Sequence, residues 1–350
     1  MLFNSSIVNR QSSIHMSFIE VNNLRKEFRI FKHREGVSGA FKDLFHREYQ
    51  NLAAVDGITF SVEKGEFIGY IGPNGAGKST TIKMMTGILM PTSGEIISNG
   101  FRPYEDRTRY TKSIGVVFGQ RTQLWWDIAV VESFKLLRRI YDVPEADYRK
   151  RLAFFGELLG LNEFLHSPVR KLSLGQRMRC EMAAALLHNP SIVFLDEPTI
   201  GLDLVAKDRI RTFLKDINRE LSTTILLTTH DLSDIEELCR RVVIIDRGRL
   251  LYDGSLDGLR QRLGRYNLIN IHLDDRKHRL KLDQVLGGGN GIHWEQADEL
   301  TYRIRFDREQ VSSAEIIRKI VNEVPIHDIY IEAEPIEDII KTIYSRGIKQ

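Results

Sequence analysis

Two cysteines in 350 residues, Cys180 and Cys239, cannot staple a fold, and neither stands in a CxxC pair or beside metal-ligand spacing. A disulfide framework and a structural zinc site are excluded, and a reducing cytosolic compartment fits. No apolar run approaches the roughly 18 to 20 residues that a spanning helix needs. If the protein works at a membrane, another chain supplies the membrane part. The opening stretch MLFNSSIVNRQSSIHM has no signal-peptide apolar segment. Residues 1–16 read as a disordered leader, with Met16 as a second candidate start. A net charge of +3 makes no case for nucleic acid, and no such partner is expected. Internal repeats, heptad arrays and long low-complexity segments are also missing. What remains is an ordinary globular composition, long enough for two cores.

Strand and helix patterns alternate through the first three quarters of the chain. Residues 17–30 read as a strand and its exit, and 57–71 as two strands with a turn at Glu63-Lys64-Gly65. Residues 130–165 have helical apolar spacing through Val131, Phe134, Leu137 and Ile140. Another helix is expected from Leu174 to His188. Short buried-type strands are expected at Ser191–Leu195, Thr223–Thr228 and Val242–Asp246. Such alternation predicts a mainly parallel α/β sheet with helices on its faces. After about residue 262 the pattern changes. Ile269, Ile271 and Leu273 alternate, as do Leu300, Tyr302, Ile304 and Phe306, with helical spacing at Ile316, Ile317, Ile320 and Val324. Pro335 opens a last helix carrying Ile339, Ile340 and Ile343. Residues 263–350 thus read as a small α+β domain, and 17–262 as the main one.

Gly72-Pro73-Asn74-Gly75-Ala76-Gly77-Lys78-Ser79 fits G-x-x-x-x-G-K-[ST] at every fixed position, after a strand at Phe67–Ile71 and before a helix at Thr80–Leu89. That context is what the phosphate-loop motif requires. Glycines let backbone N–H groups close around phosphates, and the helix N-terminus adds its dipole. The phosphate-binding set runs from Gly72 through Thr80. Lys78 can reach the β- and γ-phosphates, and Ser79 can bind Mg²⁺. ATP and Mg²⁺ are the expected cofactors.

Downstream, Ile192-Val193-Phe194-Leu195 ends in Asp196-Glu197. A buried strand ending in acid places Asp196 at the sheet's C-terminal edge, where the metal sits. Glu197 points differently and can polarise a water as general base. Alone, this pattern is weak, because many strands end in Asp.

With four further motifs the chain resembles the ATP-binding cassette superfamily over residues 17–255. Gln120 in IGVVFGQ matches the Q-loop glutamine. Leu172-Ser173-Leu174-Gly175-Gln176 matches the signature usually written LSGGQ, and Gly201-Leu202-Asp203 the D-loop. His230, after Leu226-Leu227-Thr228-Thr229, matches the H-loop histidine. VFGQRTQLWWD, LSLGQRMRCEMAAALLH and FLDEPTIGLD look like one subgroup of bacterial exporters in the drug-resistance and sodium-efflux branch.

The resemblance implies a P-loop fold of the ABC ATPase type: a RecA-like core, a helical subdomain and an antiparallel β subdomain. It implies ATP hydrolysis at the cytoplasmic face of a bacterial membrane. The implied partners are a permease and a second ATP-binding subunit, identical or paralogous. By the same resemblance Phe28 is the adenine platform, Gln120 joins Mg²⁺ coordination, and Ser173 and Gly175 face the γ-phosphate bound to the opposite subunit, with Gln176 in the same nucleotide-binding set. Asp203 connects the two sites, and His230 holds the γ-phosphate and orders Glu197. Leu174 departs from the commoner glycine, and Phe28 from the commoner tyrosine.

Other features keep two readings. Trp125 and Trp126 fit a core as well as a partner contact. Met84 and Met85 read as core filler. Residues 31–50 are an insertion in which Phe41, Leu44, Phe45 and Tyr49 form an apolar helical stripe, flanked by Lys42 and Arg47. That helix packs at home or contacts a permease or lipid headgroups. Its K-D-x-F run is similar to one in polysaccharide-exporter subunits, which keeps such cargo as an alternative. A soluble ABC protein and an importer subunit are the remaining alternatives.

Overall fold

A computed structural model describes residues 17–31, 49–119, 121–286 and 291–346. The leader, Gln120 and most of the 31–50 insertion therefore lie outside the described residues.

Strand β1 (Ile19–Phe31) pairs antiparallel with β2 (Tyr49–Val62), from Ile19 opposite Val62 to Phe31 opposite Tyr49. Tyr49 is thus a strand residue and not part of a helical stripe, and β2 begins eight residues before the expected residue 57. Its ring stands edge-on to Phe31 at 5.9 Å, and Arg29 stacks on it at 4.0 Å. Those cross-strand partners favour the ladder over a helix at this position. After the turn at Glu63–Gly65 comes β3 (Phe67–Ile71). Strand β4 (Ser93–Ser98) pairs with the other side of β1 and completes a three-stranded antiparallel sheet.

The main sheet has six strands. Its members are β3, β5 (Ile114–Phe118), β6 (Ile192–Asp196), β7 (Thr224–Thr228), β8 (Arg241–Asp246) and β9 (Arg249–Ser255), in the order β5-β6-β7-β3-β8-β9. The β5–β6, β6–β7 and β7–β3 pairs are parallel. Every residue of β3 and β7 is buried, as expected where helices cover both faces. Met84 and Met85 are fully buried on the helix Lys78–Met85, which ends four residues before the expected Leu89.

The helical stretch 130–165 is two helices, Val130–Ile140 and Glu145–Leu158. The break falls where Asp142 takes a φ of +54° and Pro144 caps the second helix. Proline disfavours helical backbone at the residue before it, so the apolar period continues while the helix cannot. Next comes the helix Leu174–Leu186.

Contacts divide the chain into two compact units. One runs to Cys239 and includes Val243–Asp253, and the other takes Arg240–Val242 and everything from Gly254. In the second unit, β10 (Tyr266–Leu273), β11 (Ile292–Gln296), β12 (Thr301–Asp307) and β13 (Ile326–Ala333) form an antiparallel sheet ordered β11-β12-β10-β13. Helices Arg279–Leu286 and Ser313–Glu323 follow β10 and β12. That is the β-α-β-β-α-β arrangement of ferredoxin-like folds. Ile269, Ile271, Tyr302, Ile304 and Phe306 line one face of this sheet and pack with Ile316 and Ile320 in its core.

Candidate nucleotide-binding site

The loop Gly72–Gly77 leaves the C-terminal end of β3 and enters the helix Lys78–Met85. Its glycines are required by geometry. Gly77 has a φ of +106°, and a Cβ there would lie 2.4 Å from the Ala54 carbonyl oxygen. Lys78 is 6% exposed, and its Nζ donates to the Gly72 carbonyl at 2.6 Å and to that of Pro73 at 3.1 Å. Burial pulls its pKa below the ordinary lysine value, while Glu197 and Asp196 pull the other way. The cation therefore sits where phosphate oxygens would replace loop carbonyls as its acceptors.

Beside this loop the ends of β6 and β7 meet. Ser79 Oγ lies 3.4 Å from Asp196 Oδ1. The same carboxylate oxygen accepts a 2.6 Å bond from the Thr228 hydroxyl. Glu197 N–H donates to the Thr228 carbonyl at 3.0 Å and contacts its Oγ1 at 3.2 Å. Glu197 itself is held at a φ of +54°, a region costly for a residue with a side chain. Its Oε1 lies 3.6 Å from His230 Nδ1. Gly119 lets β5 approach this corner, since a Cβ there would fall 2.2 Å from the Glu197 carbonyl oxygen.

Two cavities share this corner. One, about 190 Å³, is lined by Ala54, Asn74, Gly75, Lys78, Thr80 and Glu197 among others. The other, about 270 Å³, touches Ser79, Phe118, Gly119, Arg121, Asp196 and Glu197. Glu197 and Ser79 border both. A larger cavity of about 620 Å³ belongs to the second unit and contains none of these residues.

The oxygens of Ser79 and Asp196 are hard donors and suit Mg²⁺, which is held by few protein ligands together with water and phosphate. No group of three or more His, Cys, Asp or Glu that could hold a metal ion gathers among the described residues.

The signature motif starts a helix. Ser173 is the N-cap of Leu174–Leu186, and Gln176 closes a capping box with it. The Ser173 N–H donates to Gln176 Oε1 at 2.9 Å, and Gln176 N–H to Ser173 Oγ at 3.2 Å. Gln176 is therefore engaged as a cap. Leu174, the departure from the common motif, is accommodated by Gly201. A Cβ at Gly201 would lie 3.2 Å from Leu174 Cδ2. Asp203 caps the helix Leu204–Leu221, accepting from Ala206 N–H at 2.8 Å.

Phe28 lies on β1 opposite Leu52, two residues before Ala54 of the loop cavity, and Lys26 Nζ stands 5.5 Å from its ring centre. Trp125 and Trp126 are 41% and 48% exposed, so neither is core. Gln120 is outside the described residues.

Sequence reasoning missed Thr228, Gly119, Thr199, Asp234 and Glu181. Thr228 was the most legible of these, standing two residues before His230. Gly119 directly precedes Gln120, and Thr199 and Asp234 follow Glu197 and His230 closely, but the partners of these residues and of Glu181 are distant in sequence.

A family model described as "ABC transporter" matches residues 55–200. The ABC transporter ATP-binding protein NatA of Bacillus subtilis (strain 168) is 32% identical over 215 residues, covering 61% of this chain and 87% of that protein. The linearmycin resistance ATP-binding protein LnrL of the same organism is 34% identical over 225 residues, covering 64% and 72%. Among solved structures, an ATP-binding subunit of an ABC transporter matches with TM-score 0.59 and 29% identity, over 71% of this chain and 94% of that one. A dimeric post-hydrolysis state of the cassette MJ0796, bound to ADP and Pi, matches with TM-score 0.57 and 26% identity, over 68% and 98%.

Proposed function

This chain belongs to the ATP-binding cassette (ABC) transporter family, and we propose that it hydrolyses Mg-ATP to drive a separate membrane permease in export. It is an ATP-binding subunit, and its relatives include a linearmycin resistance protein. Its similarity to transporter ATP-binding proteins supports a peripheral place on the cytoplasmic face of a membrane; among the described residues no helix is long and apolar enough to cross one. Cargo selection is assigned to the permease.

The observation that carries the reading is the convergence of Lys78, Ser79, Asp196, Glu197 and His230 on one corner, with Glu197 bordering both cavities. In the proposed mechanism the Gly72–Thr80 backbone and Lys78 hold the β- and γ-phosphates. Ser79, Asp196 and Gln120 would hold Mg²⁺, which would supply neutralisation of the phosphate charge. Glu197 accepts a proton from the attacking water, and His230 fixes the carboxylate's direction. Phe28 stacks on adenine. Ser173 and Gly175 contact the γ-phosphate bound to a second subunit, with Gln176 capping their helix, and Asp203 links the two sites. The helix dipole behind Gly175 suits an anion there.

The test is Glu197→Gln. It should keep ATP binding, lower turnover by roughly 10²–10⁴, and convert monomer to dimer with ATP in light scattering. Lys78→Ala should instead weaken nucleotide binding itself. Near-normal hydrolysis by Glu197→Gln would remove Glu197 from the base role.

A further inference from the structure

Glu181 is a carboxylate that the nucleotide chemistry leaves unused. It stands on the helix Leu174–Leu186, two turns beyond the Ser173 cap, and is 3% exposed. A buried acid is tolerated only when its oxygens are bonded. Both bonds come from one short turn. The Thr122 hydroxyl donates to Oε1, and the Gln123 N–H donates to Oε2 at 3.2 Å. Gln123 Nε2 adds a 3.3 Å bond to the Glu181 main-chain carbonyl. Thr122 Oγ1 also accepts from Leu124 N–H at 3.1 Å, so the turn is wrapped around this side chain.

The stretch after that turn is tied to the same helix and to its approach. The Arg177 guanidinium lies 5.6 Å from the centre of the exposed Trp126 ring. Arg170 N–H donates to the Trp126 carbonyl at 3.0 Å, and Val169 N–H to that of Ile128 at 3.1 Å. Residues 122–128 therefore grip the helix at Glu181 and Arg177, and grip the segment that leads to its cap. Burial raises the Glu181 carboxyl above the usual range, and the Thr122 and Gln123 bonds oppose that.

We propose that Glu181 is a positioning residue: its carboxylate locks the Thr122–Gln123 turn to the signature helix and so sets where Ser173 and Gly175 stand when two copies close on ATP. The proposal rests on the two-subunit ATP site described above. A carboxylate is needed because two donors face it. The nearly isosteric glutamine offers one acceptor and turns an N–H₂ toward Thr122 Oγ1, so the hydroxyl must give up its bond to the carboxylate for the longer 3.5 Å contact with the Leu124 carbonyl.

The experiment uses the full chain carrying Glu197→Gln, with ATP-dependent dimerisation followed by light scattering. Adding Glu181→Gln or Thr122→Val should raise the ATP concentration for half-maximal dimerisation about tenfold, the loss expected for one charge-assisted hydrogen bond. The two changes together should do no more than one, since they break the same bond. Thr122→Ser, which keeps the hydroxyl, should behave as the parent. Binding of a fluorescent ATP analogue to the monomer should stay within about twofold throughout, as the phosphate loop is untouched. Unchanged dimerisation in both Glu181→Gln and Thr122→Val overturns the proposal alone. Parallel loss of monomer binding also overturns it, by reducing Glu181 to general support of the fold. A parent that never dimerises with ATP overturns the sandwich reading, and this proposal with it.

Discussion

The Thr199 hydroxyl donates to the Asp234 carboxylate across 2.6 Å, wholly inside the protein. Thr199 is two residues past Glu197, and Asp234 four past His230. Asp234 also accepts from Arg211 Nε at 2.6 Å and from the Thr229 hydroxyl at 3.4 Å. One buried carboxylate thus joins the segments that carry Glu197 and His230.

Thr199→Val keeps shape and removes only the hydroxyl. The expected cost is about 1 kcal/mol of stability, seen as a lower thermal midpoint. Turnover should fall about tenfold through misplacement of Glu197, with KM for ATP unchanged. Steady-state kinetics at varied ATP checks this. An unchanged turnover number would separate the buried pair from catalysis. Asp234→Ala should be far more damaging, roughly 3–5 kcal/mol, because Arg211 loses its buried partner.

Gly201 and Leu174 form a matched pair. Gly201 has a φ of +71°, and its missing Cβ leaves room for Leu174 Cδ2 at 3.2 Å. Gly201→Ala should cost about 1–2 kcal/mol, combining backbone strain with the close contact. Leu174→Gly in the same chain should recover the contact part and leave the strain. Thermal midpoints of the two singles and the double give the coupling between them. A strictly additive double mutant would mean that Leu174 does not depend on this glycine.

His188 supplies an acid-sensitive element. Its Nε2 is 2.8 Å from the Ile114 carbonyl, and its ring stacks on Tyr141 at 3.9 Å. Burial pushes its pKa down from 6.5 to about 4, with the Ile114 bond opposing and Arg151 assisting. Above pH 6.5 neither the folded nor the unfolded state is protonated at this ring. As pH falls from 6.5 toward 4 the unfolded chain takes the proton first. Stability should then drop by about 1.4 kcal/mol per pH unit from this group alone. His188→Gln should flatten that fall, measured as the thermal midpoint between pH 7.5 and pH 4.5. An equally steep fall in the variant would assign the acid response elsewhere.

The phosphate loop was legible because its chemistry is contiguous. Gly72 to Thr80 must supply a strand exit, a glycine cradle, a cation and a hydroxyl in nine neighbouring residues. Asp196-Glu197 was legible for the same reason, as was the Ser173 start of the signature helix. Apolar periods of two and about 3.6 fixed element types through both units. They could not locate the break before Pro144 in a continuous apolar pattern, nor tell that Tyr49 pairs with Phe31.

Only the tertiary structure decided the rest. Thr228 joins the corner of Ser79 and Asp196 because β6 and β7 lie in parallel register, with Asp196 beside Thr228. Trp125 and Trp126 are exposed, and the Thr122–Gln123 turn just before them is anchored by Glu181, 58 residues on. Thr199 meets Asp234, and Leu174 meets Gly201, across gaps that no local pattern encodes. A hydrogen bond needs its partners placed within a few tenths of an ångström. Spacing along the chain fixes that for neighbours. For residues tens of positions apart it is fixed only when whole strands and helices have packed.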